Sequence, residues 1–99
     1  MNGKQFGFEE AKRIGDALGA DWNMFPVEQF RLGLGVELEH GSRDPQTDVT
    51  HDDLLLTGRI VWAHLKEIPD YYTRLLKMEK EAGKYWASEM NFPRKNPGR

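Results

Sequence analysis

The chain has no cysteine among its 99 residues, which excludes disulfide frameworks, thiolate zinc sites, iron–sulfur clusters and cysteine nucleophiles together. Any bound metal would need oxygen and imidazole ligands. The chain also lacks an apolar run approaching the roughly 20 residues that cross a bilayer, and Met1-Asn-Gly-Lys-Gln contains no apolar signal core. A soluble cytoplasmic protein without membrane association is therefore expected. Nor is there an excess of positive charge: 14 Lys and Arg against 16 Asp and Glu leave a formal charge of −2. Without a basic face, no nucleic-acid partner is expected. Arg94, Lys95 and Arg99 do gather near the end, among Pro93, Pro97 and Gly98, and this composition reads as a flexible, solvated tail over residues 89–99. No complete catalytic or nucleotide-binding motif occurs, so the sequence does not point to an enzyme.

What is present is apolar spacing near 3.6 residues. Phe8, Ala11, Ile14, Ala17 and Leu18 predict a first helix over 8–19, with Gly19 as its stop. Pro26 suits the first position of a second helix running to about His40, with Glu28 at its positive dipole end. That segment is ambiguous, because Phe30, Leu32, Leu34, Val36 and Leu38 alternate as in a half-buried strand. Gly33 and Gly35 also each cost a helix about 0.8–1 kcal/mol. Val27, Phe30, Leu34 and Leu38 nonetheless form a helical stripe, and no partner strand is evident, so a helix is expected. Residues 41–49 read as a polar connection, and Thr50 as the N-cap of a third helix with Asp52 and Asp53 in its first turn. Leu54, Gly58, Val61, Trp62, Leu65 and Ile68 supply the core stripe of this helix. Pro69 ends it and opens a fourth helix from about Asp70 to Ser88, with Tyr71, Tyr72, Leu75, Met78, Ala82, Tyr85 and Trp86 as apolar positions. The expected fold is all-α: a single-domain bundle of about four helices over 1–88, with its core within 6–86.

The blocks Glu37-Leu-Glu-His-Gly41 and His64-Leu-Lys-Glu-Ile-Pro-Asp-Tyr-Tyr72 are the most specific features. Together with Phe8-Glu-Glu-Ala-Lys-Arg-Ile-Gly15, Thr47-Asp-Val-Thr-His-Asp-Asp53 and Met78-Glu-Lys-Glu81, they resemble a family of small bacterial and viral proteins designated domain of unknown function 5661. The likeness covers roughly residues 6–86. It implies a compact helical unit in a phage or bacterial setting and carries no activity, substrate or cofactor. Gly33-Leu-Gly35 departs from the family's more helix-friendly pattern.

Each of the two blocks places an imidazole and a carboxylate three residues apart, on one face if helical. Glu37, His40, His64 and Glu67 would make a two-histidine, two-carboxylate set suited to a divalent metal such as zinc, manganese or iron. Glu39 or Asp70 could add a ligand or orient an imidazole. The di-iron bundle pattern is incomplete, since only one Glu-x-x-His is present. A tight antiparallel hairpin of helices two and three would leave His40 near His51 and carry His64 about 20 Å away. The loop 41–50 can extend to roughly 33 Å, so a crossover that joins the pairs is allowed. A local grouping of Glu37 and His40 with His51, Asp52 or Asp53 is the alternative. Three roles stay open for the set: a metal site, metal-free acid–base catalysis, and a structural hydrogen-bond network. In the last case the protein would act as an accessory interaction module, with a protein partner or a homodimer formed through an exposed aromatic or apolar face. The tryptophans, Tyr71, Tyr72 and Tyr85 read first as packing residues.

Overall fold

The computed structural model describes residues 5–89. It consists of α1 (Phe8–Leu18), α2 (Val27–Glu37) continued by a 3₁₀ turn (Leu38–His40), α3 (Leu54–Glu67) and α4 (Tyr71–Glu89), with no strand among the described residues. The all-helical expectation holds, and the alternation over 30–38 is resolved in favour of helix. The expected tail lies outside the described residues, apart from Glu89 at the end of α4.

Local chemistry accounts for most helix ends. Gly19 sits at φ 89°, the left-handed conformation that glycine adopts without strain. There its N–H and that of Ala20 reach the carbonyls of Asp16 and Gly15 and close α1. Pro26 is the N-cap of α2, with extended ψ of 155°, and not its first helical residue. The start of α3 corrects the sequence reading. Asp53, not Thr50, is the N-cap, its carboxylate accepting from the N–H groups of Leu55 and Leu56 at 2.9 Å. Thr50 is instead buried in the loop.

The core gathers Phe6, Ala11, Phe25, Phe30, Leu34, Val61, Leu65 and Tyr72. Trp22 folds back over α1, its ring edge-on to Phe25 and Phe30, and its indole N–H donates to Asp16 at 2.7 Å. Contacts between α2 and α3 advance together along both helices. The Phe30 ring reaches Gly58, Gly33 lies against Val61, and Glu37 reaches His64. The two helices therefore run in the same sense, and the segment between them is a crossover. Gly33 explains the helix-unfriendly sequence, since a Cβ there would sit 2.5 Å from the Tyr72 ring and 2.6 Å from Val61.

The crossover is tied at its neck. The His40 carbonyl accepts from Val49 N–H at 2.7 Å, and Asp52 accepts from the Ser42 N–H at 2.9 Å and the Ser42 hydroxyl at 2.5 Å. His51 and Asp52 hold positive φ values of 53° and 65°. These are unusual outside glycine, and they are supported here because Asp48 accepts from the His51 N–H while its second oxygen lies 2.9 Å from the ring.

Past its first turns, α4 leaves the core. Tyr72 is buried and Tyr71 and Leu75 are partly covered, but Met78, Tyr85 and Trp86 are 52%, 56% and 44% exposed. The expectation that these three pack in the core is therefore overturned. Ile68, at 41% exposed, also leaves the expected core stripe of α3.

Candidate functional site

The crossover brings three of the four candidate residues together. Glu37, the last residue of α2, is 5% exposed. Its Oε2 accepts the Tyr72 hydroxyl at 2.8 Å and lies 3.1 Å from His64 Nδ1, while Oε1 faces His40 Nε2 at 3.9 Å. His64 Nδ1 is also 2.9 Å from Tyr72 Oη. The His64 ring stacks flat on Tyr71, with centroids 4.3 Å apart and planes inclined by 3°. One carboxylate thus links α2, the 3₁₀ turn, α3 and α4.

Hydrogen-bond bookkeeping sets the tautomer. The Tyr72 proton is committed to Glu37, so Tyr72 Oη can only accept from His64, and Glu37 is an acceptor as a carboxylate. His64 Nδ1 must therefore carry a proton shared between the two oxygens, which leaves Nε2 as the basic nitrogen on the far side of the ring. An ion bound at Nε2 would have the imidazole between itself and Glu37. In this arrangement Glu37 and His64 are hydrogen-bond partners. Burial, followed by the adjacent Glu37 carboxylate, pushes the Tyr72 hydroxyl far above the ordinary phenol value of 10 and keeps it a proton donor throughout the neutral range.

The remaining candidates are elsewhere. Glu67 is exposed at the end of α3 and takes no part in the cluster. Glu39 pairs with Arg43 at 3.5 Å and Asp70 with Arg74 at 2.8 Å, so neither serves His40 or His64. The local grouping also fails: His51 is engaged by Asp48, Asp52 by Ser42, and Asp53 by the start of α3. Among the described residues, no group of three or more His, Cys, Asp or Glu side chains could hold a metal ion. A groove of about 500 Å³ opens between Gly35, Leu38, Ser42, Arg43 and Leu54, and none of the four candidates lines it.

Gln29 belongs to the same structural unit and is not evident from the sequence. It is buried; its carbonyl oxygen accepts from Tyr72 N–H at 3.1 Å and its amide donates to the Thr73 hydroxyl at 2.6 Å. It thereby satisfies a backbone donor in the first turn of α4 that the helix itself cannot. The only sequence signal was a polar residue beside the apolar stripe of α2, and Tyr72 registered only as part of an apolar stripe.

A family model described as a protein of unknown function, DUF5661, matches residues 11–81. No curated protein and no solved structure matches the chain.

Proposed function

The chain belongs to the DUF5661 family of proteins of unknown function, and within that family we propose that it works as a non-enzymatic accessory module that binds another protein surface. Its Glu37–Tyr72–His64 cluster then serves as the brace that sets the direction of α4. The observation that carries this reading is how the Glu37 carboxylate is used. It is buried at the junction of the helices, and Oε2 is engaged by Tyr72 and His64 together. A carboxylate occupied in this way orients helices, and a buried acceptor is costly to leave unpaired. The exposed Met78, Tyr85 and Trp86 provide an apolar surface for a partner. No helix among the described residues is long and apolar enough to cross a membrane, so a membrane span does not account for that surface.

The competing reading is a divalent metal held by Glu37, His40, His64 and Glu67. It has in its favour the convergence of the first three. Elemental analysis of protein purified without a histidine tag separates the two. The module reading expects substoichiometric zinc, manganese and iron and a melting temperature unchanged by chelator. A metal bound only to the folded state would be lost to chelator together with its contribution to stability. One equivalent of metal per chain and a chelator-lowered melting temperature would overturn the proposal.

A further inference from the structure

The outer flank of α3 carries positive charge that the fold leaves uncompensated. Arg31, Arg43 and Arg74 each pair with a carboxylate three or four residues away, at 2.5, 3.5 and 2.8 Å. Arg59 has no such neighbour, because the residues three and four positions from it are Leu55, Leu56, Trp62 and Ala63. Lys66 is placed alike, with Trp62 and Ala63 behind it and Pro69 and Asp70 ahead, and Asp70 is held by Arg74. Among the described residues neither cation forms an ion pair. Leu55, Arg59, Trp62 and Lys66 follow one another at spacings of four, three and four residues, so they share one side of the helix. Leu55 is 50% exposed, Arg59 and Lys66 are exposed, and Trp62 is half-buried and packed against the core. The Lys66 ammonium lies 5.2 Å from the centre of the Trp62 ring, whose negative face attracts it.

We propose that this stripe docks an acidic amphipathic helix of another protein, whose apolar side chains cover Leu55 and Trp62 and whose carboxylates meet Arg59 and Lys66. Charge complementarity selects the occupant. The two cations stand seven residues apart, about 10 Å along the helix at 1.5 Å per residue, with Trp62 between them. A partner must offer two carboxylates at that separation with an apolar side chain between them, which one face of a helix provides.

Trp and Arg are the side chains that most often dominate the energy of a protein interface. A nucleic acid is the poorer match, since phosphates are held by a broad basic face. Here two cations flank one ring in a chain of net charge −2, and the exposed Leu55 asks for an apolar contact. The stripe is narrow, so the contact is weak and falls off with salt.

This inference deepens the reading of the chain as a binding module and rests on it. The test is an NMR titration of the full chain with two synthetic alanine-based helical peptides. One carries Leu, Glu, Leu and Glu at the spacings of the α3 stripe, and the other Glu, Leu, Glu and Leu, so that both chain directions are presented. One of them should shift the resonances of Leu55, Arg59, Trp62 and Lys66, and a scrambled peptide of equal composition should bind at least about tenfold more weakly. The double variant Arg59→Glu/Lys66→Glu should melt near the wild type, since both positions are exposed. It should lose at least about tenfold in affinity for the acidic peptide and gain affinity for the counterpart with Lys in place of Glu. No binding of either peptide, shifts confined to other residues, or equal binding of the scrambled peptide would overturn the assignment. Tighter binding of a single-stranded oligonucleotide, or the same shifts on concentrating the protein alone, would overturn it in favour of a nucleic acid or a second copy. Metal-free protein that ignores both peptides would discard this face and leave the module reading in place, whereas stoichiometric metal would discard the module reading whatever the peptides do.

Discussion

Glu37 and Tyr72, 35 residues apart in sequence, share a 2.8 Å hydrogen bond in which the phenol donates to the buried carboxylate. Tyr72→Phe keeps the ring in the core and removes the donor to Glu37 together with the oxygen beside His64 Nδ1. Leaving a buried acceptor short of a partner costs about 1–3 kcal/mol, and each kcal/mol corresponds to about 4–8 °C in melting temperature for a domain of this size. Thermal denaturation should therefore show a clear loss for Tyr72→Phe. A melting temperature equal to wild type would mean that the bond does not brace the helices.

Gly33→Ala is expected to destabilise, against the direction that helix propensity predicts. Alanine should gain about 0.8–1 kcal/mol within a helix. The added methyl group would, however, lie 2.5 Å from the Tyr72 ring and 2.6 Å from Val61, in a place where neither can easily move. Overpacking of this kind costs about 1–3 kcal/mol, so the net change should be a loss, read from the urea midpoint. A stabilised Gly33→Ala protein would contradict the close approach of α2, α3 and α4.

Gln29→Leu should cost about 1–2 kcal/mol despite its higher hydrophobicity, because Tyr72 N–H in the first turn of α4 loses its acceptor and the Thr73 hydroxyl loses its donor. Hydrogen exchange offers a local measurement. The amide of Tyr72 should exchange faster in Gln29→Leu while amides in α1 keep their protection.

Stability should decline at both ends of the pH range, for opposite reasons. Asp52 is held below its ordinary value of 3.8 by the Ser42 hydroxyl and then the Ser42 N–H, Asp16 by the Trp22 indole and then Lys12, and Glu28 below 4.5 by Arg31. A depressed carboxyl contributes stability above its unfolded value and loses it as the pH falls through the folded one. Tyr72 is shifted the other way, so its contribution is complete below its unfolded value of 10 and is lost as the pH rises beyond it. Melting temperature measured against pH should fall less steeply in acid for Asp52→Asn and less steeply above pH 10 for Tyr72→Phe.

Much of the architecture could be read from neighbouring residues. The four helices, the stop at Gly19 and the break at Pro69 rest on spacing, capping and backbone freedom, which act within a turn or two. The start of α3 misled because Thr50, Asp52 and Asp53 are all competent caps. In the structure Ser42 engages the Asp52 carboxylate, Thr50 accepts from the Asp52 N–H within the loop, and Asp53 caps the helix. Glu37, His40 and His64 were identifiable as a group by residue type, and their meeting depended on α2 and α3 running in the same sense. Two crossing directions share one hydrophobic pattern, and the tied loop selects between them. The bonds from Glu37 and Gln29 to Tyr72 depend in turn on α4 folding back over α2.

Composition and periodicity thus dictated that this chain would be helical and cysteine-free in its chemistry, because those properties are sums over residues or features of a single turn. Which apolar residues would be covered was decided only when the helices assembled. Tyr71 and Tyr85 occupy equivalent places on the apolar stripe of α4, yet one lies partly against the core and the other is 56% exposed. Burial requires a neighbour, and a periodic stripe marks a face without supplying what packs on it.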